Sequence, residues 1–167
     1  KFTPGFERNM NDDMIRALAQ RGGVIQINFG STFLDGKVAA QRDSLRSLLS
    51  AMLAKRDLSY RDEAAKPIIE QFQKDHPALF ADVKTVADHI DHVVQLSGVD
   101  HVAFGSDFDG VGDSLPTGLK DVSMFPNLIY ELLERGYQED EIAKMCYGNV
   151  FRVWRQVALV SDYLQGQ

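Results

Sequence analysis

A single cysteine, Cys146, stands in 167 residues, which excludes an internal disulfide and any cysteine-rich metal site. Basic residues are in deficit. Lys and Arg number 18 against 24 Asp and Glu, a formal net charge of −6, and no basic patch with interleaved aromatics exists to hold nucleic acid. Long apolar runs are missing too, so nothing in the chain reads as a membrane span, and no signal peptide opens it. Nor does the chain open on methionine: Lys1 is first, which suggests a processed chain or an excised piece. The compartment, cytoplasmic or periplasmic and secreted, therefore stays open. Repeats, linkers and low-complexity stretches are absent. What remains is the composition of one ordinary globular domain with room for a sizeable core.

Within it, residues 99–110, VDHVAFGSDFDG, concentrate the chemistry. Val102, Ala103 and Phe104 read as a short apolar strand, and such strands, when fed by a helix, are parallel and buried on both faces. The strand runs into Gly105-Ser106 and then presents Asp107 and Asp109, at the strand end where α/β folds keep their reactive groups. Gly105 and Gly110 flank the acidic pair and permit a tight bend or a close approach. An earlier strand is expected over residues 24–29, VIQINF. A helix precedes it, capped by Asn11, with Asp12 and Asp13 in its first turn and Gly22-Gly23 at its end. Pro4-Gly5 marks a turn before that helix.

The remaining pattern is helical. Leu45, Leu48, Leu49, Met52 and Leu53 form one apolar face. Ser59 and Asp62 resemble a capping box, and Pro67 restarts a helix that His76-Pro77 ends. Val83, Val86, Ala87, Ile90, Val93 and Val94 line the helix that leads into the central strand. Ser123 is expected to cap the next helix, and Gly148-Asn149 to break the last region in two, with Asn149 as cap. The count is two parallel strands against about six helices. Two strands cannot close a parallel sheet. The chain therefore reads as α/β, the C-terminal portion of a larger (β/α)8 barrel, one partial domain over 1–167 with a helical insertion over 36–80.

The sequences DHIDHVVQLSGVDHVAFGSDFDGV, LPTGLKDVSMFPNLIYELLERGYQEDEIAKMCYGNVFRVWRQV and ERNMNDDMIRALAQRGGVIQINF resemble the renal (membrane) dipeptidase family of zinc metallopeptidases. GSDFDG, GLxDVS and GNxxRV at these spacings are specific, and the likeness covers the chain except about 30–82. The resemblance implies a metal-dependent barrel with two zinc ions that hydrolyses dipeptides through a metal-bridged hydroxide. Asp107 matches the family's metal-ligand aspartate, which also faces the bridging water, with Asp109 expected to pin the loop or to accept a hydrogen bond that orients the surroundings of Asp107. Arg8 matches the arginine that grips the substrate's free carboxylate, and Phe33 an aromatic residue near the substrate. The family's other ligands, an H-x-D pair, a Glu and two His, lie upstream of Lys1, and none of the four His here takes their places. The isolated chain is therefore expected to be inactive until a missing N-terminal half, another chain or a second copy completes the barrel.

Each residue also has a plainer reading. Asp107 suits a Gly-rich turn, and Arg8 a surface ion pair with Asp12 or Asp13. His89 and His92, three apart without a glutamate between them, read as structural hydrogen-bonders rather than zinc ligands. His101 at the strand start reads as structural, and His76 as a solvated loop residue. The insertion is expected at the C-terminal mouth, as a lid or a homodimer contact through Leu48, Leu49, Met52 and Phe72. A non-catalytic α/β scaffold, or another metal-dependent barrel hydrolase such as a lactonase or phosphoesterase, are the rival functions.

Overall fold

Local signals set the element borders. The computed structural model describes residues 6–166; the Pro4-Gly5 turn lies outside them. Asn11 caps helix α1 (Asp12–Gln20), its side chain accepting from the Met14 amide at 2.9 Å. Gly22 at φ +74° then turns the chain into strand β1 (Ile25–Asn28). After the helices α2 (Ser31–Leu34), α3 (Gly36–Ala54) and α4 (Lys66–Asp75), Asp82 caps α5 (Val83–Ser97) by accepting from the Thr85 amide at 2.8 Å. Gly98, at φ +87°, ends α5, and β2 (Val102–Ser106) follows after a single 3₁₀ turn. The chain closes with α6 (Phe125–Glu134), α7 (Glu139–Ala143) and α8 (Asn149–Gln165).

Among the described residues the sheet is the parallel pair β1–β2, in the register Ile25 with Val102, Ile27 with Phe104 and Asn28 with Ser106. The intervening crossover ends in α5, which packs Val86, Ala87, Ile90 and Val93 into the main core together with Ile27, Phe29 and Val102. Removing this apolar surface from water is the main force holding α5 to the strands. Arg135 clamps the outer side. Its guanidinium meets Asp88 at 2.7 Å, Asp91 at 2.6 Å and Glu131 at 2.9 Å, joining α5 to α6. Burial works against this charge, but the three carboxylates outweigh it and raise the arginine's pKa. Tyr137 donates to Asp91 at 2.7 Å, and burial together with that carboxylate pushes its pKa up.

Helices α3 and α4 form a hairpin with an apolar cluster of their own, built on Leu49, Leu53, Ala65 and Phe72. This overturns two of the residues expected at a dimer contact: Leu49 is 6% and Phe72 7% exposed, because they hold the hairpin together. Ser59 and Asp62 do not cap an α-helix. Asp62 accepts from the Ser59 amide at 2.6 Å within a turn that leads into a 3₁₀ segment (Glu63–Ala65). His76 is not simply solvated either, since its ring stacks on Phe72 at 4.2 Å and contacts the Phe72 carbonyl at 3.0 Å.

Two further expectations change near the C-terminus. Asp121, not Ser123, takes the capping role, accepting from the Ser123 amide at 2.8 Å. Gly148-Asn149 does not break the helix. The chain runs from α7 through a π turn (Lys144–Gly148) straight into α8, and Asn149 is itself helical, at φ −66° and ψ −42°. Its side chain is drawn inward instead, donating to the Val99 and Val102 carbonyls at 2.8 Å each. A turn later Arg152 donates to the Gly22 and Asp100 carbonyls at 2.7 and 2.8 Å. These two side chains fasten the start of both strands. Beyond them α8 presents large apolar side chains to solvent, Trp154 at 68% and Val160 at 58% among them.

Candidate active site

The C-terminal ends of the strands carry the polar groups. At the end of β2, Ser106 and Asp107 both have positive φ, +85° and +67°. Left-handed backbone at a non-glycine residue costs on the order of 1 kcal/mol, less at Asp than at bulky residues. The glycines beside them serve a different need. A Cβ on Gly105 would come within 2.5 Å of the Asn28 Oδ1, and one on Gly110 within 2.5 Å of the Asp107 Oδ1. Gly105 thus lets β1 approach, and Gly110 leaves room for the Asp107 carboxylate.

Phe108 anchors this turn. Its ring packs edge-on against Phe29 at 5.7 Å and Phe125 at 5.3 Å, while Phe104 stacks on Phe125 at 5.8 Å. The apolar residue between the two acids is therefore tied to the core. Asp107 is half-buried beside it. Asp109 is exposed and makes no hydrogen bond or ion pair among the described residues.

The end of β1 opens onto a cavity of about 230 Å³, lined by Arg8, Asn28, Phe33, His89 and His92 among others. The Arg8 guanidinium lies over the Phe33 ring, 5.7 Å from its centroid. Phe6 packs on the same ring at 5.1 Å, and Asn9 donates to the Phe33 carbonyl at 2.8 Å. Arg8 and Phe33 are thus brought together. Asp107 does not line this cavity; it follows Ser106, which pairs with Asn28 across the sheet. Asn28 and Asn9 are the residues that sequence reasoning missed. The signal for Asn28 was a polar residue closing an apolar strand just before Gly30.

The histidines act as structural hydrogen-bonders. His89 Nε2 donates to the Leu34 carbonyl at 2.8 Å, His92 Nε2 contacts the Asp12 carboxylate at 2.8 Å, and His101 Nδ1 donates to the Gly23 carbonyl at 2.8 Å. The hydrogen bond from His92 holds the Asp12 carboxyl below the usual range. Burial lowers the pKa of His89, against a smaller opposing push from its Leu34 bond. The unfolded chain therefore takes up this proton more readily than the folded one. Stability contributed by neutral His89 is present above the ordinary histidine pKa and is lost as pH falls below it. His89→Gln should flatten the loss of stability on acidification from about pH 7 to pH 5, read as urea midpoints at both pH values.

Polar groups thus gather at the C-terminal ends of the two parallel strands, beside a cationic and aromatic pocket, and comparison with known proteins shows the family. The chain belongs to the membrane dipeptidase family, peptidase family M19, whose model it matches over residues 5–167. It is 33% identical over 156 residues to a dipeptidase of Schizosaccharomyces pombe, covering 93% of this chain and 28% of that protein. Dipeptidase 3 of Mus musculus is 47% identical over 90 residues, 54% of this chain and 18% of the mouse protein. The crystal structure of the probable dipeptidase PvdM from Pseudomonas aeruginosa is similar at a TM-score of 0.65 and 31% identity, covering 90% of this chain and 41% of that one. The chain thus spans less than half the length of these relatives.

The family implies a metal cofactor. Among the described residues, however, no group of three or more His, Cys, Asp or Glu side chains could hold a metal ion. Asp107 is a single carboxylate, and one carboxylate does not make a zinc site.

Proposed function

We propose that this chain takes part in dipeptide hydrolysis as the C-terminal portion of a (β/α)8 barrel, with β1 and β2 as two of its strands. The observation that carries this reading is the juxtaposition at the strand ends: a guanidinium over an aromatic ring beside a cavity, and a half-buried carboxylate at the end of the paired strand. Arg8 binds the free carboxylate of the substrate, for which its planar fork is suited, and Phe33 packs against the substrate's body. Asp107 accepts a proton from the attacking water and returns it to the leaving amine. Asp107 would be this chain's donor to a ligand set completed from outside it, and the two zinc ions held there, when bound, would supply the activation of that water. On its own the chain is inactive. The hairpin of α3 and α4, within residues 36–80, follows β1 and so sits at the mouth, as a lid or a contact between copies.

The test, run on the protein with its upstream residues present, is a pair of substrates, a dipeptide and its C-terminal amide. Arg8→Ala should raise KM for the free dipeptide by about 10–100-fold with kcat largely kept, the loss expected for a charge-assisted contact. It should leave KM for the amide nearly unchanged. Equal KM values for variant and wild type on the free dipeptide would remove Arg8 from the site.

A further inference from the structure

A second and larger cavity, of about 600 Å³, lies between the α3–α4 hairpin and the loop after β2. It shares neither Arg8 nor Phe33 nor Asp107 with the site described above. Its size is that of a small-molecule site. One wall is the face of α3 that carries Leu45 and Leu49, with Phe72, Leu79 and Phe80 opposite and below. Two of the three charged residues in its lining are arginines. Arg42 and Arg46, one helical turn apart on α3, both line the cavity, and neither is in an ion pair among the described residues. The one acid of the lining, Asp113, is already paired with Lys120 at 3.2 Å, and Lys120 in turn sits 3.7 Å from the Phe80 ring centroid.

Ser31 provides an independent sign. It lines the same cavity and is fully buried, and its hydroxyl has no hydrogen-bond partner. A buried hydroxyl left unpaired is costly and uncommon in a native interior. Apolar walls, two uncompensated guanidiniums at the entrance and an unsatisfied hydroxyl within describe a receptor for one kind of molecule.

We propose that this cavity binds a small amphipathic monoanion, an acyl chain or aromatic body with a carboxylate, whose apolar part lies between α3 and Phe80 and whose charge meets Arg42 and Arg46. The inference does not depend on the peptidase reading. Octanoate and uncharged 1-octanol are the probes, measured on the full chain by isothermal titration calorimetry. Octanoate should bind at one per chain and more tightly than octanol. The double substitution Arg42→Gln with Arg46→Gln should weaken octanoate at least about tenfold, the scale of a lost charge-assisted contact, and leave octanol unaffected. Leu45→Trp, which pushes an indole into the apolar wall, should weaken both. Circular dichroism matching the wild type certifies each variant as folded. Equal binding of the two probes, octanoate affinity unchanged in the variants, or no binding at all would each overturn the proposal; the second would place the fatty anion elsewhere, such as on the exposed side of α8.

Discussion

Asp107→Asn, in the zinc-loaded protein with its upstream residues present, should lower kcat by about 10²–10⁴-fold, the range typical of a lost acid–base group. The amide keeps the size and shape of the carboxylate but neither holds nor returns the proton. Its backbone demand is also met, because Asn tolerates the left-handed region about as well as Asp and the φ of +67° at position 107 is retained. The fold should therefore be intact, with the urea midpoint unchanged, so lost activity reads as chemistry and not as unfolding. Zinc per chain, measured by inductively coupled plasma spectrometry, belongs in the same experiment. The 167-residue chain alone should hold no stoichiometric zinc, and reconstitution with the upstream segment should restore it. Full activity of Asp107→Asn would refute the assignment, and absence of zinc in both preparations would favour a scaffold without catalysis.

Asn149→Ala should have the largest effect on stability. The Asn149 side chain is 2% exposed and satisfies two carbonyls, those of Val99 and Val102. Removing it leaves the buried Val102 carbonyl and the half-buried Val99 carbonyl without this donor, for a total of about 2–4 kcal/mol, the first supplying most of it. Urea denaturation should show a lower midpoint at an unchanged slope. Asn149→Asp should not rescue it, because an ionised carboxylate has no proton to donate to either carbonyl. A loss below about 0.5 kcal/mol, the range of ordinary surface substitutions, would show that the strap contributes little.

What the sequence reveals and what it hides divide along contact range. Asn11 as cap, Gly98 as stop and the strand after it were legible because each depends on residues within one or two turns. The structural roles of His89, His92 and His101 were legible as a class, although not their partners Leu34, Asp12 and Gly23, which lie 55, 80 and 78 residues away. Asn149 was misread for the same reason. An Asn after a Gly is locally a good cap, and only the approach of residues 99–102 turns it inward. The Arg135 cluster draws on Asp88 and Asp91 from another helix and gives no local sign. At the site, Asp107 and Arg8 stood out through their motifs, whereas the left-handed pair Ser106-Asp107 did not, since the neighbouring glycines left bend and close approach open and serve the close approach.

Arg152 joins carbonyls on both sides of the crossover, reaching 130 positions back to Gly22 and 52 to Asp100. Such a latch cannot close until β1 and β2 are already side by side. Docking of α8 is thus expected to follow the pairing of β1 with β2, and the latch has to wait until the residues through Arg152 have been made.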